Sequence, residues 1–142
     1  MPTPNLTATP FAAVPVRILF ADDVRELREV VRLSLTRIGH TVSCAEDGQK
    51  ALSLFESAPD AFDLVITDHQ MPVMTGLELV RALRGRKYEG RIIVLCSELN
   101  AAAEKAYQDL KVDRLVYKPI LPSTLRQIVA GLFTPAPREA VA

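Results

Sequence analysis

The sequence lacks most of what would mark a specialised surface. Its 17 basic and 17 acidic side chains cancel, so it offers no general attraction to nucleic acid or to an anionic membrane. Its only two cysteines, Cys44 and Cys96, lie within apolar runs and read as reduced core residues rather than a disulfide. No apolar run approaches the roughly 20 residues that span a bilayer. No basic stretch leads into an apolar core at the N-terminus, so no signal peptide is expected and a soluble cytoplasmic protein is the default. No glycine-rich loop supports nucleotide binding.

What is present is a core. The chain has 142 residues, of which 49% are hydrophobic, enough for one domain and too few for two comfortable ones. Prolines at 2, 4, 10 and 15, and at 135 and 137, mark residues 1–15 and 134–142 as flexible tails around a folded unit over 16–133. Within it, strand-like and helix-like patterns alternate five times. Expected strands are Val16–Phe20, Thr41–Ala45, Leu64–Ile66, Ile92–Leu95 and Leu115–Tyr117. The helical stripes are Leu27, Val30, Val31, Leu35 and Ile38, stopping at Gly39; Ala51, Leu54, Phe55 and Ala58, capped by Asp47; Leu79, Val80 and Leu83; Ala103, Ala106, Tyr107 and Leu110; and Leu125, Ile128, Val129 and Leu132.

Continuous apolar strands imply burial on both faces, hence an α/β fold with a five-stranded parallel sheet and five helices on its two faces. Right-handed crossovers leave few topologies. In the flavodoxin-like order 2-1-3-4-5 the carboxyl ends of the strands share one edge, where open α/β sheets build their sites. That edge would collect Asp22-Asp23, Asp68, Ser97 and Lys118. Packing does not call for three carboxylates, a hydroxyl and an ammonium together. Carboxylates about 4 Å apart repel by roughly 4 kcal/mol at an effective dielectric of about 20. Such a cluster calls for a cation, and hard oxygen donors suit Mg²⁺ better than zinc or copper.

The pair Asp22-Asp23, the stretch Asp68-His69-Gln70-Met71-Pro72-Val73-Met74-Thr75-Gly76, the hydroxyl at Ser97 and Lys118-Pro119 resemble the receiver domain of two-component response regulators. The resemblance covers about residues 16–133. It implies that Asp68 is the phosphoacceptor for a sensor histidine kinase or histidine phosphotransferase. It also implies that Asp22, Asp23, Asp68 and the backbone carbonyl of Gln70 hold Mg²⁺ (or Mn²⁺). Lys118 and Ser97 would engage phosphoryl oxygens, and Lys118-Pro119 would be cis. A receiver is a phosphoacceptor signalling domain rather than an enzyme, although it assists its own phosphorylation and dephosphorylation. With no room for a second domain, a stand-alone regulator is expected. It would act by phosphorelay or by binding a downstream protein through the face of helix 4, strand 5 and helix 5.

The alternatives are a phosphorylation-independent interaction module on the same fold and an aspartate-nucleophile phosphatase. The phosphatase needs a second acid two residues after its nucleophile, where Gln70 stands. The module is suggested by departures from the family pattern. Leu115 replaces the usual aromatic three residues before the lysine, Glu98 follows the hydroxyl position, and Lys111-Val112 replaces Gly-Ala before the last strand. With Leu115 there, coupling to the surface is expected to rest on Ser97. Simpler roles are available for other residues. Asp23 with Glu26 mimics a capping box, His69 would be a neighbour with a solvent-facing ring, and Arg84, Arg86 and Lys87 would decorate a helix end.

Overall fold

The structure, a computed structural model, describes residues 14–133. The tails expected at 1–15 and 134–142 therefore lie outside the described residues except for Val14 and Pro15. Five strands and five helices alternate: β1 Arg17–Ala21, α1 Arg25–Thr36, β2 Thr41–Ala45, α2 Gly48–Ser57, β3 Leu64–Asp68, α3 Gly76–Gly85, β4 Arg91–Cys96, α4 Ala101–Asp109, β5 Arg114–Tyr117 and α5 Pro122–Phe133. The strands pair in parallel in the order β2-β1-β3-β4-β5, as the alternation of patterns requires.

Strand alternation divides the core into two layers. Leu19, Val65, Ile92 and Val94 face one side and meet Ala51, Phe55, Leu79, Leu83 and Tyr107 of α2, α3 and α4. Ile18, Phe20, Leu64, Ile66, Ile93 and Leu95 face the other and meet Val31, Leu35, Leu125 and Val129 of α1 and α5. All five residues of β3 are buried, so the central strand delivers Asp68 to the sheet edge with no freedom of register.

Local signals set the helix ends. Asp47 Oδ1 accepts from the Lys50 amide at 2.8 Å, and Gly39, with φ of 103°, follows α1 in a conformation that favours glycine. Thr75 and Glu78 form a reciprocal capping box that starts α3. Lys111, where glycine is usual, nevertheless adopts φ of 62° after α4; its amide donates to Gln108 O at 3.0 Å.

Three stripe positions fall on the wrong side. Val30 is 47% exposed and Leu54 39% exposed, and Ala58 is exposed at the end of α2. Leu52 is buried instead. A stripe about 100° wide leaves its border positions undecided until the sheet sets the helix rotation. Asp23 is not a cap. Val24 occupies the N-cap of α1 without a side-chain bond, and Asp22 Oδ1 accepts the Val24 amide at 2.8 Å.

Candidate functional site

Register assembles the site. Ala21 pairs with Thr67, Asp68 with Leu95 and Cys96 with Tyr117. Asp22 and Asp68 thus leave adjacent strands side by side, and Ser97 and Lys118 leave the next two strands level with each other, two residues further along. Carboxylate oxygens of Asp22, Asp23 and Asp68 lie within 4.8 Å of one another. Lys118 Nζ is 3.0 Å from Asp68 Oδ1 and 3.8 Å from Asp22 Oδ2. The Lys118-Pro119 bond is cis, and the Lys118 amide donates to Cys96 O at 2.7 Å.

The three acids differ in environment. Asp22 is fully buried, and its Oδ2 has no hydrogen-bond partner among the described residues. Burial pushes its carboxyl above the usual carboxylate range, opposed by the Val24 N–H and aided by the charge of Asp68. Asp68 is nearly buried. Its Oδ1 accepts the His69 amide at 2.9 Å as well as pairing with Lys118, and its Oδ2 has no hydrogen bond among the described residues. Asp23 is exposed at the rim. A buried carboxylate oxygen without a hydrogen bond, beside two other carboxylates and only one ammonium, fits a divalent cation bound by hard oxygen donors.

Gln70, Ser97 and Glu98 are exposed. The Ser97 hydroxyl has no hydrogen-bond partner among the described residues. Leu115 is half-buried and packs against the α2–α4 layer. Tyr117 is half-exposed and donates its hydroxyl to Glu104 Oε2 at 3.0 Å.

Gly76 is held where its amide donates to His69 O at 2.8 Å. A Cβ there would collide with Asp68 O and His69 Cα, which explains glycine at this point of the loop. Val73, exposed at the loop tip, has φ of 73°, an unusual conformation for a β-branched residue.

Two side chains expected to be peripheral are structural. The His69 ring does not face solvent: its Nδ1 lies 2.6 Å from the Tyr107 hydroxyl, and burial lowers its pKa. Arg84 is not decoration either. Its guanidinium donates to the carbonyls of Leu110, Tyr88, Gly90 and Lys111 at 2.8–3.0 Å, tying the end of α3 to the end of α4. No sequence signal separates it from Arg86, which meets Glu56 at the surface and one carbonyl of its own helix, Ala82 O at 3.3 Å. Tyr107 was legible as a helical core position, but its partner 38 residues away was not.

The sequence profile described as "Response regulator receiver domain" matches residues 18–130. Response regulator MprA of Mycolicibacterium vanbaalenii is 40% identical over 106 residues, covering 75% of this chain and 45% of that protein. MprA of Mycobacterium tuberculosis is 36% identical over 126 residues, covering 88% and 54%. This chain thus spans about half the length of these curated relatives. The chemotaxis response regulator CheY4 of Vibrio cholerae superposes with a TM-score of 0.76 at 30% identity, covering 84% of this chain and 100% of that one. Profile, relatives and superposed fold agree: this chain belongs to the response regulator receiver domain family.

Proposed function

We propose that Asp68 accepts a phosphoryl group from the phosphohistidine of a histidine kinase or histidine phosphotransferase. The chain would then signal by phosphorylation-dependent protein binding or by phosphorelay. Response regulators as a family take phosphoryl groups from histidine kinases, and a receiver is a signalling domain. The observation that carries the proposal for this chain is the nearly buried Asp68 carboxylate, paired with Lys118 at 3.0 Å on Oδ1 and flanked by two further acids.

With Oδ1 engaged, Oδ2 is the oxygen with a lone pair to give. It forms the new O–P bond while the P–N bond of the donor breaks and its electron pair returns to the imidazole nitrogen. Lys118 neutralises charge on the transferring group. Asp22, Asp23, Asp68 and the Gln70 carbonyl would hold Mg²⁺ (or Mn²⁺), which when bound neutralises phosphoryl oxygens and relieves repulsion from the carboxylates. Ser97, at the level of Lys118 on the adjacent strand, is the hydroxyl within the right loop to take a phosphoryl oxygen. The receiver unit is residues 16–133, its location is cytoplasmic, and its output face is α4, β5 and α5, where Tyr117 and Leu121 are exposed. Among the described residues no helix is long and apolar enough to cross a membrane.

The test is incubation with acetyl phosphate and Mg²⁺, read by intact mass. Wild type is expected to gain one phosphoryl group, and Asp68→Asn none. Equal labelling of both would move the phosphoacceptor elsewhere. No labelling of wild type by either acetyl phosphate or a phosphorylated kinase would favour the phosphorylation-independent module.

A further inference from the structure

One buried side chain anchors α4. Its inward positions are otherwise alanine, and Tyr107 is the only buried residue of the helix. A phenol wholly inside the protein needs a partner for its hydroxyl, and here that partner is His69 Nδ1 at 2.6 Å. The two rings meet edge to face, with centroids 5.5 Å apart and planes at 72°. His69 also touches the phosphoacceptor. Its backbone N–H donates to Asp68 Oδ1 at 2.9 Å and to Leu95 O at 2.8 Å. A single residue therefore bonds Asp68 through its backbone and the anchor of α4 through its ring.

We propose that His69 and Tyr107 carry the phosphorylation state of Asp68 to α4, an inference that rests on Asp68 being the phosphoacceptor. Once Asp68 is an acyl phosphate, Oδ1 is a carbonyl oxygen rather than half of a carboxylate, and it is a weaker acceptor. Lys118 turns toward the phosphoryl oxygens, and the His69 amide, losing its charged partner, is left to Leu95 O alone. The peptide between Asp68 and His69 then reorients and the imidazole moves with it. Tyr107 must follow or leave a hydroxyl buried without a partner. Because no other residue of α4 is buried, either response displaces the helix. Leu115 offers no polar atom for such a link, and Ser97 bonds nothing in α4. In this chain the switch aromatic stands on the helix rather than on β5, and His69 is a positioning residue.

The test compares wild type, Tyr107→Phe, His69→Leu, His69→Asn and Leu115→Ala, each as the full chain with acetyl phosphate and Mg²⁺. Phosphoryl transfer to Asp68 releases acetate and is counted by intact mass; the α4 response is read from amide chemical-shift changes at residues 101–109. All five proteins are expected to be phosphorylated. Tyr107→Phe and His69→Leu should weaken the shift toward the displaced helix about fivefold, the change in equilibrium constant that corresponds to one hydrogen bond of about 1 kcal/mol. His69→Asn, whose side-chain amide reaches the place of Nδ1, should restore most of the response, which a merely space-filling role would not do. Leu115→Ala should respond as wild type. A phosphorylated Tyr107→Phe with a full response, or a Leu115→Ala without one, overturns the proposal. A wild type that gains mass while α4 stays still removes this inference alone. A wild type that gains no mass removes the Asp68 reading first, and this one with it.

Discussion

Asp22 is a fully buried carboxylate beside two other acids, and Asp22→Asn should expose the cost of its charge. Its carboxylate lies within 4.8 Å of those of Asp23 and Asp68 and 3.8 Å from Lys118. At an effective dielectric of about 20, each repulsion is roughly 3.5 kcal/mol or more and the attraction roughly 4. Water screens the part due to exposed Asp23, so the Coulomb terms nearly cancel. What remains is the desolvation of Oδ2, which has no hydrogen-bond partner among the described residues, about 1–3 kcal/mol. Asparagine keeps an acceptor for the Val24 amide and removes the charge. Without divalent metal the variant should therefore be more stable by about 1 kcal/mol, which raises the melting temperature of a domain this size by about 4 °C.

Magnesium should reverse the order. At about tenfold above its dissociation constant it adds about 1.4 kcal/mol to the protein that binds it, and Asp22→Asn should lose most of that gain. The pH dependence has a definite sign. Because the folded-state pKa of Asp22 is raised, the folded protein holds this proton more tightly than the unfolded chain does. The stabilisation is complete below the unfolded value and is lost as pH rises through the folded one. The stability gap between variant and wild type should thus shrink on acidification. Thermal unfolding with EDTA and with Mg²⁺, at several pH values, decides the matter. If Asp22→Asn melts below wild type in EDTA, or gains as much from Mg²⁺, the reasoning is wrong.

Lys111→Gly should stabilise the protein by about 0.5–1 kcal/mol, because φ of 62° strains any side chain and glycine relieves it; denaturant unfolding that shows a loss would refute this. Arg84→Met should cost about 2–4 kcal/mol by stripping four carbonyls of a charged donor, whereas Arg86→Ala, losing one exposed ion pair, should cost under about 1 kcal/mol; equal losses in urea melts would contradict the contrast. His40 is buried, its Nδ1 accepts the Val16 amide at 3.0 Å and its Nε2 has no hydrogen-bond partner among the described residues. Its pKa is lowered by burial, so stability should be complete above the unfolded value near 6.5 and fall as pH drops below it, a slope absent in His40→Gln.

Periodicity and strand-end chemistry determined, from the sequence alone, the five alternating units, the parallel sheet and the edge on which Asp22, Asp23, Asp68 and Lys118 meet. Those features are legible because a buried parallel strand must be apolar throughout, and polar residues at its carboxyl end then stand out. Rotation of the amphipathic helices is not legible, so the stripes include Val30 and Leu54 although both are exposed. The partner of the His69 ring, the four carbonyls around Arg84 and the burial of Asp22 Oδ2 without a hydrogen bond among the described residues were decided only by tertiary structure. Each depends on distances between atoms far apart in the chain. Local sequence cannot encode those distances; the packing of α3 and α4 against the sheet, and the burial it imposes, sets them.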